Sequence, residues 1–297
     1  MAGAILRVSL SYSGGIADEN ELDFYDVAQA LIGFERSLAL TTHLILNGEI
    51  ITQAPFLDGA RIAARPPIEG SWEFVALVYL AGRGAYKLGT TPRDTPIGHL
   101  ISSAYDYVVS HVVGVHVDYE KVLGAQLQER DASRRVDQIP TITKLDALAE
   151  KCETAVSQIH RPIVKTRSAS RAMLTASVDE ISQQIGPIFD DQTFDYIAYT
   201  KDDESVEIVG RVTSYNMNTF KGRVFVLGVG RPVPFELMEQ CRDTASVGLV
   251  ADSLSRNVQS RGASGDIHCR AVPQLSRTNV LKKYLIFQVG KNELPNR

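Results

Sequence analysis

The residues whose types and order could bind something are concentrated between Gly210 and Val226. Gly210-Arg211-Val212-Thr213-Ser214-Tyr215-Asn216 is followed by Lys221-Gly222-Arg223-Val224-Phe225-Val226, so cations alternate with aromatic rings. Cations can neutralise phosphates, and exposed rings can stack bases. Further cations follow at Arg270, Lys282 and Lys283. A second basic run, His160, Arg161, Lys165, Arg167 and Arg171, meets no acid from Pro162 through Ala176 and could hold an anion. Signatures of catalysis are harder to find. Ala81-Gly82-Arg83-Gly84-Ala85-Tyr86-Lys87 has two glycines of a dinucleotide fingerprint but Lys87 where the third belongs, and no Walker-type Gly-Lys-Ser/Thr occurs. His111 and His116 are five residues apart, which on a helix turns the second ring about 140° from the first; a zinc pair uses a four-residue step. Gly262-Ala263-Ser264-Gly265 lacks the spacing of a nucleophile elbow. No catalytic residue, metal ligand or cofactor is assigned, and nothing in these patterns argues for an enzyme.

These residues must be positioned by two kinds of element. In the front half, Leu6, Val8 and Leu10 mark a strand. Asp23, with Asp26 in the capping-box position, opens a long helix carrying Phe24, Val27, Leu31, Phe34, Leu38 and Leu46 and ending at Asn47-Gly48. Ala60–Ala64 and Ser71–Leu80 read as a hairpin around a Pro-Pro loop. Phe74, Val75, Leu77, Val78 and Tyr79 put apolar groups on both faces of its second strand, which asks for cover on each side. Thr95-Pro96 starts a helix, Tyr119–Arg130 predicts another, and Thr143 with Asp146 opens a third bearing Leu145, Leu148, Cys152, Val156 and Ile159. Ser177 with Glu180 suggests a short helix closed by Gly186-Pro187, although the stretch also suits an extended chain.

Past Ser205 the apolar period shifts from 3.6 to 2. Ile208 and Val212, Val224 and Val226, Val233 and Phe235, Ile267 and Cys269, and Leu285 and Phe287 mark about five short strands, with a helix-prone stretch between Glu236 and Asn257. The expected class is α+β. Residues 1–190 form a strand-helix-hairpin-helices module with a helical second half, and residues 205–297 form a small antiparallel β-barrel with one inserted helix.

Composition narrows the setting. The chain has 297 residues and a net charge of −4, but residues 1–92 and 93–200 each carry −4 and residues 201–297 carry +4. The basic third could seek an anionic partner or dock on an acidic patch. The longest apolar run, Phe74 to Ala81, is far short of the about 20 residues of a membrane span, so no membrane is expected as a partner. Three scattered cysteines, Cys152, Cys241 and Cys269, fit a reducing cytoplasm better than a disulfide framework.

The 210–226 segment resembles the paired strands of cold-shock-type barrels, with their Gly-x-Val-x-x-aromatic-Asn followed by Lys-Gly-x-x-Phe-hydrophobic. That resemblance implies a five-stranded barrel binding single-stranded nucleic acid, with Tyr215, Lys221 and Phe225 as binding residues. The departures are Ser214 where the family stacks an aromatic, Arg223-Val224 in place of a Phe-Gly step, and a turn two residues longer. Over more of the chain, the Asp23–Leu46 helix, the Gly70-Ser71-Trp72-Glu73-Phe74-Val75 opening and the Gly210–Tyr215 opening resemble bacterial and phage proteins grouped as domains of unknown function. This second resemblance implies a two-part architecture and a bacterial or mobile-element source; a place in a multi-protein defence-type system is a separate expectation.

Two functions follow as expectations. The first is a non-catalytic, oligomeric interaction or scaffold protein whose partner is itself or another protein chain. The second is binding of RNA, single-stranded DNA or a nucleotide through Arg211, Tyr215, Lys221, Arg223, Phe225, Arg270, Lys282 and Lys283. An anion site at Arg161, Lys165, Arg167 and Arg171 is a further candidate.

Overall fold

The computed structural model describes residues 4–51, 57–65, 72–81, 96–115, 140–178, 181–259 and 265–294. The Pro-Pro loop, the glycine pair at 82–84, Thr95, His116, the 119–130 helix and Ser264 lie outside them. The chain divides after Ala198 into two compact units.

The first unit is built on a five-stranded antiparallel sheet in the order β2-β3-β1-β4-β5, formed by Ala60–Arg65, Glu73–Leu80, Leu6–Ser13, Arg171–Val178 and Ile181–Phe189. Helices α1 (Phe24–Asn47), α2 (Pro96–Val112) and α3 (Ile142–Ile159) contribute to one core with the sheet residues Leu6, Val8, Leu10, Val78, Leu174 and Ile185. The hydroxyl of Tyr12, also on this face, donates to the Ile159 carbonyl at 2.8 Å and ties β1 to the end of α3. A short turn of helix, α4 (Arg161–Val164), and α5 (Asp191–Ala198) complete the unit.

Local chemistry sets the helix ends. The Asp26 amide donates to the Asp23 carboxylate at 3.0 Å, and Gly48 at φ 72° closes the last turn of α1. The side chain of Asp26 does not complete the expected box, because Arg161 takes it. Helix α3 is capped by Thr141, two residues before the predicted Thr143. Of the two readings for the stretch from Ser177 to Gly186-Pro187, the extended one holds among the described residues, and Glu180 lies outside them. Ser177 belongs to β4 and Ile181–Phe189 is β5, because Ala172, Leu174, Ala176 and Val178 alternate onto the core face. The Gly186-Pro187 step that suggested a helix end instead falls at an irregularity where Gly186 adopts φ 64°.

The second unit is a closed five-stranded barrel. Its strands are β7 (Val206–Asn216), β8 (Lys221–Val226), β9 (Arg231–Leu237), β10 (Ile267–Leu275) and β11 (Leu281–Gly290). The two-residue strand β6 (Lys201–Asp202) adds to the outer edge of β10. Around the barrel β7 pairs with β8, β8 with β9, β9 with β11, β11 with β10 and β10 with β7. The β9–β11 pairing is parallel, so the barrel is not antiparallel throughout. Helix α6 (Thr244–Gln259) spans the connection from β9 to β10. Parallel third and fifth strands with a helix before the fourth are the connectivity of the oligonucleotide- and oligosaccharide-binding barrel.

Close approach explains two glycines of the 210–226 pattern. A Cβ on Gly210 would run into the Phe225 carbonyl, and one on Gly222 into the Ser214 carbonyl and the Phe235 ring. A bulge falls between Val212 and Ser214. There the Val212 amide donates to Ser253 Oγ at 2.9 Å, Ser253 donates to the Gly265 carbonyl at 2.6 Å, and Asn257 Nδ2 donates to the Val212 carbonyl at 3.2 Å. Helix α6 thereby satisfies both backbone groups of Val212, which lies beyond the end of the β7–β10 pairing.

Candidate interaction surfaces

On the barrel, pairing turns the alternate residues of β7 and β8 outward: Arg211 lies opposite Phe225 and Asn216 opposite Lys221. The cations nominated from sequence are engaged within the unit. Arg211 meets Asp266 at 3.2 Å and lies over the Phe225 ring at 5.8 Å. Arg270 bridges to Glu207 at 2.8 Å and donates to Gln288 Oε1 at 3.3 Å. Lys283 bridges to Glu236 at 3.0 Å, and Arg242 approaches the same carboxylate at 3.5 Å. These cations hold the Glu236 carboxyl below its ordinary range against the opposing effect of burial. Lys282 donates to Thr200 Oγ1 at 2.8 Å.

The aromatic candidates divide. Phe225 is half-buried under Arg211. Tyr215 stacks on the core ring of Phe235, with centroids 6.0 Å apart and planes 9° from parallel, and burial pushes its hydroxyl pKa up. Ser214 and Arg223 face each other in register and are both buried at 5% exposure, so neither presents itself to a ligand. Of the eight nominated residues, β7 and β8 bring Arg211, Tyr215, Lys221, Arg223 and Phe225 together, while Arg270, Lys282 and Lys283 come from β10 and β11.

The basic run after His160 does not converge. Arg161 points to Asp26 on α1, with Nε and Nη2 at 2.9 and 2.8 Å from Oδ1; the carboxylate is almost fully buried. Arg167 pairs with Asp191 at 2.7 Å in solvent, and Lys165 is exposed. Arg171 donates to Ser13 Oγ at 3.0 Å. Acids distant in sequence thus meet two of the four cations. His160 is fully buried between the Phe189 and Phe194 rings. Its Nδ1 donates to the Val156 carbonyl at 2.9 Å and its Nε2 faces Thr193 Oγ1 at 3.0 Å. Burial lowers its pKa to about 4 and keeps it neutral.

Sequence reasoning missed the most exposed apolar group. Phe24, assigned to the buried stripe of α1, is 86% exposed; Tyr25 is 63% and Ile32 54% exposed. Phe24 is the first helical residue, ahead of the turns that pack on α3, so its place in the three-and-four pattern brings no neighbour. Seven residues at about 100° each return Ile32 to within about 20° of Tyr25, about 10 Å further along the axis, while Phe24 stands about 100° from Tyr25 and about 80° from Ile32. The Arg161 guanidinium lies 5.3 Å from the Tyr25 ring centre.

All three cysteines are free and buried, and burial pushes the thiols of Cys152 and Cys269 up to about 12, which leaves them poor nucleophiles. Among the described residues no group of three or more His, Cys, Asp or Glu side chains could hold a metal ion, and no helix is long and apolar enough to cross a membrane.

Two family models match the chain. The model of a domain of unknown function, DUF7946, covers residues 8–198, and that of a family of unknown function, DUF7947, covers residues 204–290. The first match spans more than half of the chain, which therefore belongs to that family. No curated protein and no solved structure matches it.

Proposed function

We propose that this member of the DUF7946 family is a non-catalytic interaction protein that associates with a second copy of itself through the first turns of α1. The observation that carries the proposal is the exposure of three large apolar side chains, Phe24, Tyr25 and Ile32, within the first three turns of α1. Grouped apolar side chains of this size on a surface favour burial against a partner, at about 25 cal/mol per Å² removed from water. Glu35 and Arg36, exposed just beyond Ile32, supply opposite charges side by side. A two-fold axis can place each near its complement on the other copy. A reducing, cytoplasmic setting belongs to the same proposal and agrees with three buried free thiols.

Size-exclusion chromatography with light scattering tests it. The expected result is a dimer or larger species that dissociates on Phe24→Ser with Ile32→Ser, with the melting temperature retained. A strict monomer at every concentration would refute the proposal.

A second reading, single-stranded nucleic acid on the barrel, draws support from the barrel's connectivity and from Phe225 on its outer face. Against it stand the ion pairs that occupy Arg211, Arg270 and Lys283. Filter binding separates the readings. Retention of oligonucleotides that is lost on Lys221→Ala with Lys283→Ala favours the barrel, whereas unchanged retention removes it.

A further inference from the structure

We propose that the face of the five-stranded sheet opposite α1, α2 and α3 binds single-stranded nucleic acid. Strand pairing assigns that face without ambiguity. Leu6, Val8 and Leu10 of β1 lie in the core, so Arg7, Ser9, Ser11 and Ser13 point the other way. Register carries the assignment outward: Arg7 is opposite Leu77 and Ser177, Ser9 opposite Val75 and Thr175, and Ser13 opposite Arg171. One strand further, Tyr79 is opposite Arg61 and Val75 opposite Arg65 on β2, and Thr175 is opposite Gln184 on β5.

The result is a face with four arginines, Arg7, Arg61, Arg65 and Arg171, and a single acid, Glu73, among the described residues of the five strands. All four arginines are exposed. Arg7 reaches Glu73 at 3.4 Å in solvent, a contact of little energetic weight that an incoming phosphate can replace. Ser9, Val75 and Leu77 at the centre are buried, and the exposed positions surround them.

Spacing and chemistry select the ligand. With strands about 4.8 Å apart and a rise of about 3.3 Å per residue, Arg61 and Arg65 stand roughly 13 Å apart along β2. The row of Arg7 passes between them through Ala63, two strands away, which puts Arg7 roughly 12 Å from each. Cations spread over the face in this way suit an anion that repeats along a chain. The hydroxyls of Ser11, Ser177 and Ser182 lie on the same face, the last two bonded to each other at 2.6 Å, and can donate to phosphate oxygens. Tyr79, with the Arg61 guanidinium 5.3 Å from its ring centre, offers a stacking plane that a base uses and an acidic peptide does not. A stiff duplex would touch a flat sheet along one line of phosphates, whereas a single strand can bend to reach all four cations.

The test uses the full chain and a fluorescein-labelled oligouridylate of about twelve nucleotides, followed by anisotropy at about 50 mM and about 200 mM salt. Binding is expected to weaken with salt. Arg7→Ala with Arg61→Ala and Arg65→Ala should bind at least about tenfold more weakly at low salt. The slope of log K against log salt should fall by about 2, since each lost single-strand phosphate contact removes about 0.7. If that variant fails to fold, the charge reversal Arg61→Glu alone should give a smaller loss in the same direction. Four results would overturn the proposal: no binding by the unaltered chain, unchanged binding by a folded triple variant, loss only on Lys221→Ala with Lys283→Ala in the barrel, or displacement by polyglutamate as effective as by unlabelled oligonucleotide. Light scattering on the same samples reports the α1 contact separately, so either idea can fail alone.

Discussion

The barrel is the basic part of the chain and the sheet unit the acidic part, yet one face of the sheet runs against that order. In the barrel, Asp266, Glu207 and Glu236 lie against Arg211, Arg270 and Lys283, so a net charge of +4 over residues 201–297 leaves these cations engaged. In the sheet unit the acids fall mainly on helices and loops, and the strand alternation gathers four exposed arginines on one face with only Glu73. Segment charge therefore locates cations along a chain, while only pairing tells which of them remain turned to solvent.

The strongest way to sharpen this contrast is to remove a cation that is engaged deep in the sheet unit. Arg161→Ala leaves the Asp26 carboxylate buried without its counter-ion, and a stability loss of about 3–5 kcal/mol is expected from chemical denaturation. Acid should act on the same unit. His160 is neutral when folded, with a pKa of about 4, and protonates near pH 6.5 when unfolded. The unfolded state therefore binds the extra proton between these values, so stability is full above about pH 6.5 and falls by about 3 kcal/mol toward pH 4. His160→Gln should flatten that part of the profile. A profile already flat with His160 present would show that the residue is not closed off as described.

The barrel's counterpart is smaller. Ser253→Ala strips the partner from the Val212 amide and should cost about 2 kcal/mol in a thermal melt. Smaller again is the Arg270–Glu207 pair, half open to water, for which a double-mutant cycle should give less than about 1 kcal/mol.

How much of this was legible depended on range. The stripe of α3, Leu145 through Ile159, and the alternation after Ser205 were readable because each is a local repeat of large apolar residues. Strands β4 and β5 were hidden by small and polar residues, with Ser177 and Glu180 spaced like a helix start. The parallel β9–β11 pairing depends on a connection through α6 and leaves no mark in either strand. The arginine face was invisible for the same reason: Arg7, Arg61 and Arg171 come together only through β1, whose registers with β3 and β4 join residues far apart in sequence. Phe24 was misplaced because a helical period says nothing about where the neighbouring helix begins.

The proposed association through α1 is tested most directly by amide hydrogen exchange on dilute and concentrated samples. Residues Phe24 to Arg36 should gain protection as concentration rises, while the barrel strands exchange unchanged. Identical exchange of α1 at both concentrations, with Phe24→Ser indistinguishable from the unaltered chain, would contradict the account.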